Sequence, residues 1–170
     1  MNLIEIQRGG QQIIEAAIKA ESRSQGHYLT GSMEASLSGT IENTGNEKIL
    51  TGTANGYTIY VNGGVPAKKI PYAPGSGAKT SQYITGLMNY WRLRGLSEEE
   101  AKRAAFATAN VHKKQGMPTA ASTDYSSTGE RTKMIERAFE KKQTELDNWM
   151  TNGFDQIVEE EFQKTKSETV

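Results

Sequence analysis

The chain contains no cysteine in 170 residues. Disulfides, thiolate metal sites and a thiol nucleophile are thereby excluded, and the composition suits a chain that folds in a reducing cytosol. Histidine is nearly absent as well. His27 and His112 have no sequence neighbours at metal-ligand spacing, so no metal and no cofactor are expected. The plainer reading makes His27 a surface residue in a turn. His112, beside Lys113 and Lys114, then supplies positive charge at a helix end. Charge of one sign is also missing: Lys plus Arg and Asp plus Glu number 20 each, so no global field draws the chain to nucleic acid or an anionic membrane. No apolar run approaches the roughly 18 residues that span a bilayer. The opening MNLIEIQRGG has neither the charged leader nor the apolar block of a signal peptide. A soluble, unprocessed chain without a membrane partner is expected.

Apolar residues make up 35% of the chain and mean hydropathy is −0.65. One domain over 1–170 with a modest core is expected, the remaining polar surface being loop, exposed helix or contact with partners. Within it, Leu37 to Gly64 reads as sheet. Ile49–Thr53 and Tyr57–Val61 are rich in Ile, Thr, Tyr and Val, and Asn55-Gly56 between them is a strong hairpin signal. A further strand at Leu37–Asn43 would lead through the turn cluster Asn43-Thr44-Gly45-Asn46, predicting a three-stranded antiparallel meander. The expected fold class is therefore α+β: a small antiparallel sheet of three or more strands, packed by an N-terminal helix, an inserted helical hairpin and a long C-terminal helix.

Leu3, Ile6, Gly10, Ile13, Ile14, Ala17 and Ile18 form the apolar stripe of that first helix, which Gly9-Gly10 weakens by about 1 kcal/mol per glycine. Residues 63–79 hold three of the four prolines. They read as an extended arm that reaches a partner, since neither helix nor ladder continues through them. Over 80–116 a helical hairpin is predicted. Its first helix shows Tyr83, Ile84, Leu87, Met88 and Trp91 on one face and stops at Gly95, and the second opens on a capping box, Ser97 with Glu100. From 130 to 166 the helical period is sustained for a span of roughly 55 Å, with a bend or break expected at Asn152-Gly153.

Chemistry is harder to find. Gly75 to Thr80, GSGAKT, lacks the glycine before lysine and the upstream glycine of a phosphate loop. Glu98–Glu100 and Glu159–Glu161 read as a first-turn cap and a solvated face. No serine lies in a Gly-x-Ser-x-Gly turn. An enzyme would need a site assembled from distant residues, and none is expected. Lys68, Lys69, Lys79 and Trp91 could serve a small nucleic-acid-binding module.

The order of segments resembles the head–tail joining, tail-completion or neck proteins of long-tailed bacteriophages. The resemblance runs through Ala17-Ile18-Lys19-Ala20, Thr30-Gly31-Ser32-Met33 and Ser36-Leu37. It continues in Leu50-Thr51-Gly52-Thr53-Ala54, Tyr57, Tyr60 and Gly63-Gly64. Trp91, Arg94-Gly95, Ala104-Phe106-Ala107 and Gly116-Met117-Pro118 complete it, with the helix from Glu130 closing the domain. Ser32-Met33, where the family often has a basic residue, and the long 63–79 segment depart from it. The resemblance implies a non-enzymatic virion protein, assembled in the host cytoplasm and located in the neck or tail region. It would form a homo-oligomeric ring of 6 or 12 copies at the head–tail junction, as part of the DNA conduit. Adjacent connector, portal-side and tail-tube proteins are the implied partners, with non-specific contact to passing DNA. Adaptor, stopper and tail-terminator rings are alternatives within the same architecture. Lys68, Lys69, Ile70, Tyr72, Met117 and Tyr125 are the expected interface residues.

Overall fold

A computed structural model describes residues 1–44, 47–75 and 81–168. The elements are α1 (Leu3–Ser24), α2 (Ser32–Ser36), β1 (Ser38–Thr44), β2 (Glu47–Thr53), α3 (Thr58–Gly63), α4 (Gln82–Leu93), α5 (Glu98–Gln115) and α6 (Met134–Glu168), with short 3₁₀ turns at Ala67–Lys69 and Ala120–Tyr125. The chain divides into two compact units. One comprises residues 1–24, 30–58 and 133 onward; the other comprises 25–29 and 59–132.

In the first unit, α1 and α6 run antiparallel, because residues early in α1 meet residues late in α6. Ile6 faces Gly153, Gly10 faces Leu146 and Met150, and Glu21 pairs with Lys141. The glycines explain why the helices approach so closely. A Cβ built on Gly9 would stand 2.2 Å from Trp149, and one on Gly153 would stand 2.6 Å from Ile6. What reads in sequence as weak helix is therefore the place where an indole and an isoleucine are received. Contrary to expectation, α6 passes through Asn152-Gly153 without a break. The contact formed at Gly153 by fully buried Ile6 outweighs the roughly 1 kcal/mol of glycine propensity cost. The indole N–H of Trp149 donates to the Ile6 carbonyl oxygen at 2.8 Å, and Ala17, Ile18 and Ala138 close the other end with Ile14, Leu37 and Ile135.

The sheet differs from the expected three or more strands. Among the described residues it has two, β1 antiparallel to β2, with Ser38 opposite Thr53 and Thr44 opposite Glu47. Of the predicted turn cluster, Asn43 and Thr44 belong to β1, while Gly45 and Asn46 lie outside the described residues. The segment predicted as the last strand, Tyr57–Val61, is instead largely α3. Its burial follows a helical period: Thr58 is buried and Val61 and Asn62 are half-buried, while Ile59 and Tyr60 face solvent. The alternation needed by a strand is absent. Asn55-Gly56 starts this helix, the Thr58 N–H donating to the Asn55 carbonyl oxygen at 2.9 Å. The protein is α+β overall, but with a smaller sheet.

In the second unit α4 and α5 form the helical hairpin. Glu100 accepts from both the backbone N–H and the hydroxyl of Ser97, at 3.0 and 2.6 Å, closing the capping box at the start of α5. Ile84 of α4 meets Ala105 and Ala109 of α5 in a core that also takes Ile70 and Tyr72. Small alanines on α5 leave room for those larger side chains.

Candidate functional site

The residues expected to form an interface divide into core and surface. Ile70 and Tyr72 are 2% and 9% exposed. They anchor the 65–72 segment in the second unit's core, with Met117 packed half-buried against it. Backbone N–H groups of Val65 and Met117 each donate to the other's carbonyl oxygen, at 2.7 and 2.8 Å. The two segments come this close because both crossings carry glycine with positive φ. A Cβ on Gly64 would stand 2.6 Å from the Met117 oxygen, and one on Gly116 would stand 2.5 Å from the Val65 oxygen. The Lys113 ammonium donates to the Ile70 oxygen at 3.1 Å. Lys68 and Lys69 remain exposed on the 3₁₀ turn, and Tyr125 is exposed on the other. Of the arm predicted over 63–79, residues 76–79 lie outside the described residues; so do Lys79 and most of the GSGAKT stretch.

Tyr125 belongs to a cluster with Tyr90, Arg94 and Arg131. The Arg94 guanidinium sits over two phenol rings, 5.2 Å from the centre of Tyr90 and 5.6 Å from that of Tyr125. Beside it, Arg131 donates from Nη1 to the Gln25 carbonyl oxygen at 2.6 Å, while its Nε is buried with no hydrogen-bond partner. Burial, and then the neighbouring Arg94, hold the Arg131 pKa below its usual value, with Tyr90 and Tyr125 acting the other way. Neither arginine forms an ion pair among the described residues. Gly26, at positive φ, lets the 25–29 turn lie against the Tyr125 backbone; a Cβ there would stand 2.2 Å from the Tyr125 oxygen.

Both histidines are structural. His27 lies 3.2 Å from the Gln25 amide oxygen and 3.1 Å from the Arg131 carbonyl oxygen, both through Nε2. Two acceptors at one nitrogen place the proton of a neutral ring on Nε2. Burial first, and Arg131 second, push its pKa down to about 4, although the bond to the Arg131 carbonyl opposes them. His112 is likewise held below its usual value by burial, and its Nδ1 is 2.7 Å from the Tyr83 hydroxyl. That phenol is pushed up to about 12 by burial, so it donates and Nδ1 accepts. His112 is thus neutral at pH 7 and adds no charge to the α5 C-terminus. The expected helix-end cation gives way to a hydrogen-bonded pair of rings. Among the described residues no group of three or more acidic or histidine side chains could hold a metal ion.

No protein-family model, curated protein or solved structure matches this chain.

In the first unit one face of the hairpin lies over α1. Gln7 donates to the Lys48 carbonyl oxygen at 2.7 Å, and Gln11 packs against Gly39. Between them runs a groove of about 240 Å³ lined by Ile4, Arg8, Gln11, Gly39, Ile41, Asn43 and Lys48. The opposite face, with Thr40, Thr51, Glu42 and Ile49, is exposed. On α6, Phe154, Val158 and Phe162 are 44%, 68% and 61% exposed. Their four-residue spacing puts them along one face.

Proposed function

We propose that this chain is a non-enzymatic structural subunit that assembles with copies of itself into a ring, in the neck of a long-tailed virus particle. The surplus of apolar and unsatisfied surface on the first unit carries this reading. A two-stranded hairpin is marginal by itself. Here it has one face in solvent, and both outer edges present backbone groups without a strand partner among the described residues. The helix that follows the core also shows two phenylalanines and a valine to water in succession. Such rows are characteristic of surfaces covered by another chain. Copies related by rotation cover them without leaving a free end, because a heterologous contact closes on itself when the rotation is right. The resemblance in segment order to neck and tail-completion proteins supplies the location and the conduit role.

Electron microscopy of the parent particle tests it. The expected result is density for this chain in a closed ring between the capsid vertex and the tail. A location elsewhere, or a single copy per particle, overturns the reading. Light scattering of the purified chain against concentration gives the complementary measure of self-association.

A further inference from the structure

Arg94 and Arg131 lie close enough to repel each other, and neither forms an ion pair among the described residues. The geometry of this cluster suits a small, planar, negatively charged group: two neighbouring guanidinium groups without an ion pair, and the exposed ring of Tyr125 beneath Arg94. A polyanion would require a broader basic surface. Arg92, near Arg94 in sequence, is already engaged with Glu98 at 3.3 Å. A carboxylate flanked by apolar or aromatic groups matches the cluster better.

The chain itself carries that motif. On α6, Asp155 and Glu159 follow Phe154 and Val158 by one residue and so border the exposed apolar row on one side, while Glu161 borders it on the other. The acids are lightly held. Glu161 pairs with Lys164 at 2.6 Å, both about two-thirds exposed, and Glu159 accepts from the Gln163 amide. Exposed pairs of this kind contribute little and exchange readily for a better partner.

We propose that the Arg94–Arg131–Tyr90–Tyr125 cluster of one copy is the docking site for the Phe154–Val158–Phe162 face of α6 from a second copy, with Glu159 and Glu161 as the carboxylates received. This rests on the ring reading above and specifies its contact. The two patches differ, so the contact is heterologous, and each copy offers one of each. Phe162 and Val158 lie against the rings of Tyr90 and Tyr125, whose faces Arg94 already polarises.

The absence of cysteine makes the test clean. Copies carrying Asp124→Cys, next to Tyr125, are mixed with copies carrying Thr165→Cys, at the end of the apolar row; both positions are exposed. A short bismaleimide is then added. The expected result is a product joining unlike copies in clear excess over like pairs. Adding Arg94→Glu to the first variant should lower the yield by about fivefold, and Glu159→Arg with Glu161→Arg in the second should restore it. Circular dichroism verifies that each variant is folded. Equal yields of like and unlike products, or a yield indifferent to Arg94→Glu, overturns the contact. Binding of a short DNA duplex that is lost in Arg94→Glu, without a cross-link, would make the ligand a phosphodiester and also overturns it. If particle rings persist with Arg94→Glu and Arg131→Glu together, the contact fails while the ring reading stands; if the particle places this chain in no ring, the ring reading itself fails.

Discussion

Replacing Gly9 by alanine sets two physical rules against each other. Helix propensity favours alanine by about 1 kcal/mol in the interior of α1. Packing opposes it, because the added Cβ would fall 2.2 Å from Cζ2 and 2.3 Å from Cε2 of Trp149. The indole cannot yield by a simple rotation. Its Nε1 donates to the Ile6 carbonyl oxygen at 2.8 Å, and the ring is wedged between α1 and α6. Displacing it forfeits a hydrogen bond worth about 1 kcal/mol and adds about 1–3 kcal/mol of overpacking. The expected net is a loss of about 1–3 kcal/mol, read as a lower urea midpoint with the slope unchanged. Gly86→Ala in α4 is the internal control. No atom lies within 4 Å of a Cβ built there, so propensity acts alone and the variant should gain about 0.5–1 kcal/mol. If Gly9→Ala also stabilises the chain, the close helix contact described for the first unit is wrong.

Lys141→Ala should lower stability by about 1–3 kcal/mol in the same titration, since it strips a 2.5 Å ion-pair partner from Glu21, a residue only 4% exposed. Acidification should weaken the fold through His27. Its folded pKa of about 4 lies below the ordinary 6.5, so the unfolded chain binds the extra proton. Stability from this group is therefore complete above pH 6.5 and disappears as the pH falls toward 4. The full difference would be about 3 kcal/mol, and the partly exposed ring should realise about 1 kcal/mol, measured as midpoint against pH and flattened in His27→Gln. Phe154→Ser with Phe162→Ser should leave helix content intact while abolishing concentration-dependent light scattering. Scattering that survives this double change would remove α6 from the assembly surface.

Helix content was legible wherever an apolar stripe or a cap is written locally. The row from Leu3 to Ile18, the Ser97–Glu100 box and the long period after Met134 need no knowledge of distant residues. The errors arose where a local signal was decided by a remote partner. Gly153 reads as a break until Ile6 is placed against it, and Gly9-Gly10 reads as weakness until Trp149 is. Tyr57–Val61 has strand composition, yet helical burial at Thr58, Val61 and Asn62 prevails. Ile70 and Tyr72 sit in a proline-rich stretch that suggests a free arm. Their burial depends on alanines of α5 more than thirty residues away, a complementarity that no window of sequence displays. The arginine–tyrosine cluster was hidden for the same reason. Its members come from the end of α4, a 3₁₀ turn and the segment just before α6.

The glycine seats between α1 and α6 also constrain how this sequence can drift. An indole at 149 and a bare backbone at 9 are two halves of one lock, so neither position is free to vary alone. Descendants that acquire a side chain at 9 must shrink the ring at 149, and those that keep tryptophan must keep glycine. Paired change at these two sites, 140 residues apart, would be the evolutionary signature of the helix contact.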